Sequence, residues 1–166
     1  MATFIAIPIL GFLVMLQSAV LTRFPLLHGT ADLVLLAVIA WSLQKRVQTA
    51  WQWGIIGGLL VGLVSALPFW AAISIFALAV VISLALRQRV WQAPILAMFI
   101  ATFLITLLAH AITVLALRLT GTSLPLVQTL NLISLPTVIL NLVFAIPAFY
   151  LLADLAKWLY PEELEV

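Results

Sequence analysis

Between Arg46 and Arg87 the chain carries no formally charged side chain, and that run is dominated by aliphatic, aromatic and glycine residues. A fold facing water needs charges to solvate its surface, about a quarter of all residues in ordinary soluble domains. Here charged residues make up 7% and hydrophobic ones 66% of the chain, and the mean hydropathy is +1.33. Such a composition cannot cover a water-facing surface of its own size. It requires a solvent that rewards apolar surface, and lipid is that solvent. The expectation is an all-α integral membrane protein forming one polytopic unit over residues 1–166.

The charges and prolines divide the sequence into spans, each needing roughly 20 apolar residues. The first is expected over residues 4–21, ending at Arg23 and Pro25. It lacks the basic stretch and cleavage site of a signal peptide and reads as a retained helix. The second, 31–43, stops at Gln44-Lys45-Arg46 and is short, so it either starts earlier, near Leu26, or is tilted and shielded by neighbours. The uncharged run is too long for one helix, and Pro68 breaks it into 51–67 and 70–86. A fifth helix covers 93–117. Thr120 to Pro125 reads as a turn and Leu126–Leu132 as an interfacial piece. The sixth helix, 133–155, is expected to be interrupted by Pro136 and Pro147. Residues 156–166 form a short amphipathic tail whose glutamates, Glu162, Glu163 and Glu165, read as a solvated end.

Six spans put both termini on one side, together with the second and fourth loops. That side carries Lys45, Arg46, Arg87, Arg89 and Lys157, five basic residues against Arg23 and Arg118 on the other. Loops rich in Lys and Arg stay in the cytoplasm, so both termini are expected there. Trp41, Trp51, Trp53, Trp70, Trp91, Trp158 and Tyr160 fall near span ends, where interfacial aromatics collect.

Polar residues inside the membrane are costly, and few qualify. Asp32 opens the second helix. It reads either as a polar contact at the outer membrane edge or as a helix cap whose carboxylate satisfies free amides. His110 lies about seven residues, roughly 10 Å, below the outer end of the fifth helix. A proton relay or ligand contact is one reading and a hydrogen bond to a neighbouring helix the other, because no carboxylate lies at its depth. Asn141 sits mid-helix, where an amide seeks an interhelical hydrogen bond worth about 0.6 kcal/mol on average, or recognises a partner. His28 reads as a loop residue and Asn131 as interfacial and wet.

Gly54, Gly58, Gly62 and Ala66 recur every four residues, with Gly57 alongside. This places a groove of small side chains along one helix face. Lipid gives helices no hydrophobic reason to associate, so close backbone approach must supply the attraction. The groove therefore seats a helix, from this chain or from another protein.

Several classes are excluded by what is missing. There is no cysteine, hence no disulfide or thiolate metal site. A net charge of +2, dispersed along the chain, does not suit nucleic acid. No Walker A loop, HExxH, GxSxG or acidic pair occurs, and no ring of pore charges or arginine array. No enzymatic activity and no cofactor are expected.

Three segments carry a likeness to a known family. Leu26-Leu-His-Gly-Thr-Ala-Asp32-Leu-Val-Leu-Leu-Ala-Val, an acid opening an aliphatic helix, resembles MreD, the rod shape-determining membrane protein. Trp53-Gly-Ile-Ile-Gly-Gly-Leu-Leu-Val-Gly62-Leu-Val-Ser-Ala-Leu-Pro68 is similar to that family's glycine-rich third helix. Leu135-Pro-Thr-Val-Ile-Leu-Asn141-Leu-Val-Phe-Ala-Ile-Pro-Ala-Phe-Tyr150 looks like its closing segment, with an asparagine among leucines. The chain departs from the family at Ala31, where members often have proline, and at Ser65 and Ala66, where they often have an aspartate.

The resemblance implies a non-enzymatic subunit of the bacterial elongation (rod) complex in the plasma membrane. It would bind MreC and, through it, the class B penicillin-binding transpeptidase, RodA and MreB, supporting lateral peptidoglycan synthesis and cell shape. The groove at Gly54, Gly58 and Gly62, or the Asn141 face, is expected to receive the partner helix, and a second copy of the chain is another possible partner. A compact six-helix bundle also describes the substrate-binding subunit of an energy-coupling-factor vitamin transporter. That alternative needs polar groups converging on a pocket near the outer face, with Asp32, Arg118, His110 and Asn131 as candidates.

Overall fold

A computed structural model of the chain describes residues 2–21, 30–90, 92–121 and 134–161. Among the described residues all regular structure is helical. Six helices follow in order: α1 (Ala2–Leu16, continued by a π-helical turn, Gln17–Leu21), α2 (Leu33–Leu43), α3 (Ala50–Val64), α4 (Phe69–Arg89), α5 (Pro94–Leu119) and α6 (Leu135–Leu159). Among the described residues, four stretches are long and apolar enough to cross a bilayer: Ala2–Ala19, α4, α5 and α6. This supports a multi-pass helical membrane protein. The remaining two helices, α2 and α3, are shorter, with 11 and 15 residues.

The short α2 is the centre of the bundle. It packs against each of the other five helices, and Val34 through Leu43 are all buried. Its sequence is apolar on every side because every side meets protein. The shielding expected for this span is thus the arrangement found. The alternative start near Leu26 falls outside the described residues.

Helix ends follow local chemistry. Pro68, with an extended ψ of 135°, precedes α4. Pro94 opens α5, in the first turn where a missing N–H costs nothing. Pro136 occupies the same kind of position in α6, so it starts the helix, and the interruption expected there from sequence is corrected. Pro147 is accommodated inside an α6 that continues to Leu159, which draws Lys157 and Trp158 out of the expected tail and into the helix. The third span ends at Val64, three residues early. The Ser65 hydroxyl accepts the Leu67 N–H at 3.1 Å, offering the backbone a turn in place of a further helical bond. Ala66 therefore lies beyond α3 and is exposed.

One end of the bundle gathers the N-terminus, the α2–α3 connection, the end of α4 and the end of α6. Arg87 Nη1 donates to the carbonyls of Gln44 (2.9 Å) and Val47 (3.0 Å). Arg46 Nη1 donates to the Tyr160 carbonyl at 3.3 Å. Trp41 and Trp53 stack with ring centroids 4.2 Å apart. Their indole N–H groups donate to Thr49 Oγ1 (3.2 Å) and the Ala2 carbonyl (3.2 Å). Both rings are fully buried, so these two tryptophans are core residues and not the interfacial anchors that their sequence positions suggested. Trp51, Trp70 and Trp158 are exposed, and Trp91 lies outside the described residues.

Candidate functional site

The glycine groove is filled from within the chain. A Cβ built on Gly54 would lie 2.5 Å from Val80 Cγ2, and one on Gly62 would lie 2.8 Å from the Phe69 ring. At Gly57 it would meet the Phe76 ring at 2.9 Å and Val38 Cγ2 at 3.2 Å, and at Gly58 the Ile73 Cα at 3.4 Å. All of these contacts except Val38 belong to α4. The four-residue spacing thus builds the α3–α4 seam, and the expectation that Gly54, Gly58 and Gly62 receive another protein's helix is corrected by α4 occupying that face. Ala66, off the end of α3, takes no part.

At the end opposite the stacked tryptophans, polar groups from α1, α2, α5 and α6 converge. Asp32 is the N-cap of α2, its carboxylate accepting the Leu35 N–H at 3.0 Å. Its own backbone N–H donates to Asn141 Oδ1 of α6 at 2.8 Å. Since that N–H can only donate, the amide oxygen of Asn141 must point to it, leaving Nδ2 to donate to Thr106 Oγ1 of α5 at 3.0 Å. Asn141 is completely buried, so one amide ties three helices together. The Leu33 N–H donates to Gln17 Oε1 (3.1 Å), and the Thr30 N–H to Thr137 Oγ1 (3.3 Å). The amides at and just before the start of α2 are therefore met by the Asp32 carboxylate and by side chains from two other segments, the π-helical turn and α6.

His110 is half-buried, with its Nδ1 2.8 Å from the Thr106 carbonyl one turn back. A carbonyl only accepts, which places the proton on Nδ1 and leaves Nε2 as an acceptor in the neutral ring. The bond stays within α5 and does not reach a neighbouring helix. Among the described residues, Asp32, Asn141, Thr106, His110, Gln17 and Thr137 all line one cavity of about 260 Å³. A second cavity of about 390 Å³ shares Gln17, Thr30 and Asp32 with it. Arg118 is exposed and does not line either cavity. Arg23, His28 and Asn131 fall outside the described residues.

Compared with known proteins, the chain matches no family model, no curated protein and no solved structure.

Sequence reasoning found Asp32, His110 and Asn141 but passed over Gln17, Thr30, Thr106 and Thr137. A usable signal was present. Thr106 and His110 are four residues apart on α5, as are Thr137 and Asn141 on α6, so each helix presents a polar pair on one face. Thr102 extends the α5 stripe by another turn and is buried, with its hydroxyl unpaired. No group of three or more His, Asp or Glu that suits a metal occurs among the described residues.

Proposed function

We propose that this chain is a non-enzymatic, six-span subunit of the bacterial elongation complex, of the MreD type, with both termini in the cytoplasm. In this reading it binds MreC in the plasma membrane and, through MreC, supports the class B penicillin-binding transpeptidase, RodA and MreB in lateral peptidoglycan synthesis. One observation carries it. The two polar residues that mark the resemblance, Asp32 and Asn141, are 109 positions apart and joined by a direct hydrogen bond. The two positions that carry the resemblance thus meet where α2 docks on α6, through the Asn141 side chain and the backbone N–H of residue 32, while the Asp32 carboxylate caps α2. Because α4 fills the glycine seam, a partner helix in this reading docks on another face.

The test is to tag the C-terminus, extract native membranes in mild detergent and identify the co-purifying proteins by mass spectrometry. Recovery of MreC, RodA or the transpeptidase is the expected result. Recovery of a transporter ATPase pair with its coupling membrane subunit overturns the proposal in favour of the second reading, a substrate-binding subunit of an energy-coupling-factor transporter. The observation favouring that second reading is the cavity lined by Asp32, His110 and Asn141, where polar groups converge as a ligand pocket requires.

A further inference from the structure

The tryptophan end of the bundle holds a cavity of a different character. It lies between the ends of α2 and α4, the start of α5 and the last turns of α6, and measures about 220 Å³. Lys45, Arg46, Arg87 and Lys157 line it, four of the seven basic residues in the chain. No acidic side chain lines it among the described residues. Apart from Gln44, its remaining wall is apolar, including the buried Leu43, Ala97, Phe149 and Ala156.

Two of the four cations, Arg87 and Arg46, are held in place by the fold. Arg87 spends Nη1 on two carbonyls of the α2–α3 connection, out of five N–H donors that a guanidinium offers. Arg46 is anchored on the Tyr160 carbonyl. Lys157 pairs with Asp154 at 2.9 Å, but both side chains are largely exposed, and a surface pair of that kind contributes little. The volume is below the roughly 300–1,000 Å³ that encloses a whole drug-sized ligand. It suits a headgroup whose attached chains continue along an apolar wall. Basic pockets between membrane helices hold anionic lipid headgroups in this way.

We infer that the cavity between α2, α4, α5 and α6 is a binding site for an anionic phospholipid, with the headgroup phosphate on Lys45, Arg46, Arg87 and Lys157 and the acyl chains against α5 and α6. The chemistry shared with free phosphate is the anion, and the apolar wall selects the lipid. This inference does not depend on the elongation-complex reading.

The experiment uses the full-length chain in mild detergent, exposed to equal amounts of phosphatidylglycerol, cardiolipin and phosphatidylcholine and examined by native mass spectrometry. Anionic lipid is expected to be retained over phosphatidylcholine. Lys45→Gln/Lys157→Gln should weaken retention on the order of tenfold, and Lys45→Arg/Lys157→Arg should restore it. Ala153→Trp, which fills the cavity and keeps every charge, should abolish the preference. Each variant is first checked for wild-type helix content and elution. If Ala153→Trp keeps the preference while Lys45→Gln/Lys157→Gln loses it, the attraction is general surface charge and the site is overturned. Equal retention of all three lipids also overturns it. Inorganic phosphate that displaces the lipid and protects the chain from heat equally well would make a free anion the occupant.

Discussion

Two of the seams in this bundle are built by different physics. Along α3–α4, Gly54, Gly57, Gly58 and Gly62 remove side chains so that Val80, Phe76 and Phe69 can sit directly on the backbone. That seam is dry and held by shape. Between α2, α5 and α6, a single buried amide exchanges hydrogen bonds with Asp32 and Thr106, and a cavity lies beside it. Dispersion between close backbones is summed over many atoms and has no single point of failure, but it tolerates no added volume. A hydrogen-bonded seam accepts changes of shape nearby and depends on a few atoms. The contrast says where each helix pair is vulnerable.

The largest effect is expected at the dry seam. Gly57→Leu forces side-chain atoms into the Phe76 ring and Val38, costing about 3 kcal/mol, the upper part of the usual overpacking range. Equilibrium unfolding in mixed detergent and SDS micelles should show the loss, and a wild-type transition would mean that α4 does not close on α3. Next comes Asn141→Leu, which keeps volume and leaves the Asp32 N–H and the Thr106 hydroxyl unpaired, at about 1–2 kcal/mol. A double-mutant cycle with Thr106→Val should return a coupling of about 0.6 kcal/mol. Zero coupling would remove the Asn141–Thr106 bond from the account of this seam.

Asp32→Ala should cost about 1 kcal/mol through loss of the cap, whereas Asp32→Asn, which can still accept from the Leu35 N–H, should stay near wild type. Equal losses in the two variants would make the charge of Asp32, and not its capping bond, the important feature. The smallest effect is expected at Gly11. A Cβ there meets nothing within 4 Å, so Gly11→Ala should be neutral or gain up to about 1 kcal/mol from helix propensity. A clear loss at Gly11 would show that α1 has a close neighbour at that point after all.

The sequence made the helix boundaries and the α3 seam readable because prolines, charges and glycine spacing act locally. Pro68 and Pro94 mark their helix starts through the ring itself. Gly54, Gly58 and Gly62 announce a close contact, yet nothing in their spacing names α4 as the occupant. Depth along a helix can be counted from sequence, but rotation toward a neighbour cannot. Trp41 and Trp53 were misplaced for that reason, since a tryptophan near a helix end looks the same whether it faces lipid or stacks on another ring. The threonines of the polar site were missed because a hydroxyl can be satisfied by its own helix, so its presence in an apolar span raises no alarm.

The burial of α2 also bears on how the chain enters a membrane. Eleven residues rise about 16 Å, roughly half the hydrocarbon thickness. A segment that short has little claim of its own on the bilayer during synthesis. The aliphatic content that makes α2 a good centre post thus cannot be what commits it to insertion. It must be carried in by longer neighbours, and the Thr30 and Asp32 amides that lead into it wait for Thr137 and Asn141 of α6 to close over them. Because Thr137 and Asn141 follow the residues they bind by 107 and 109 positions, the central helix emerges from the ribosome long before its start is completed.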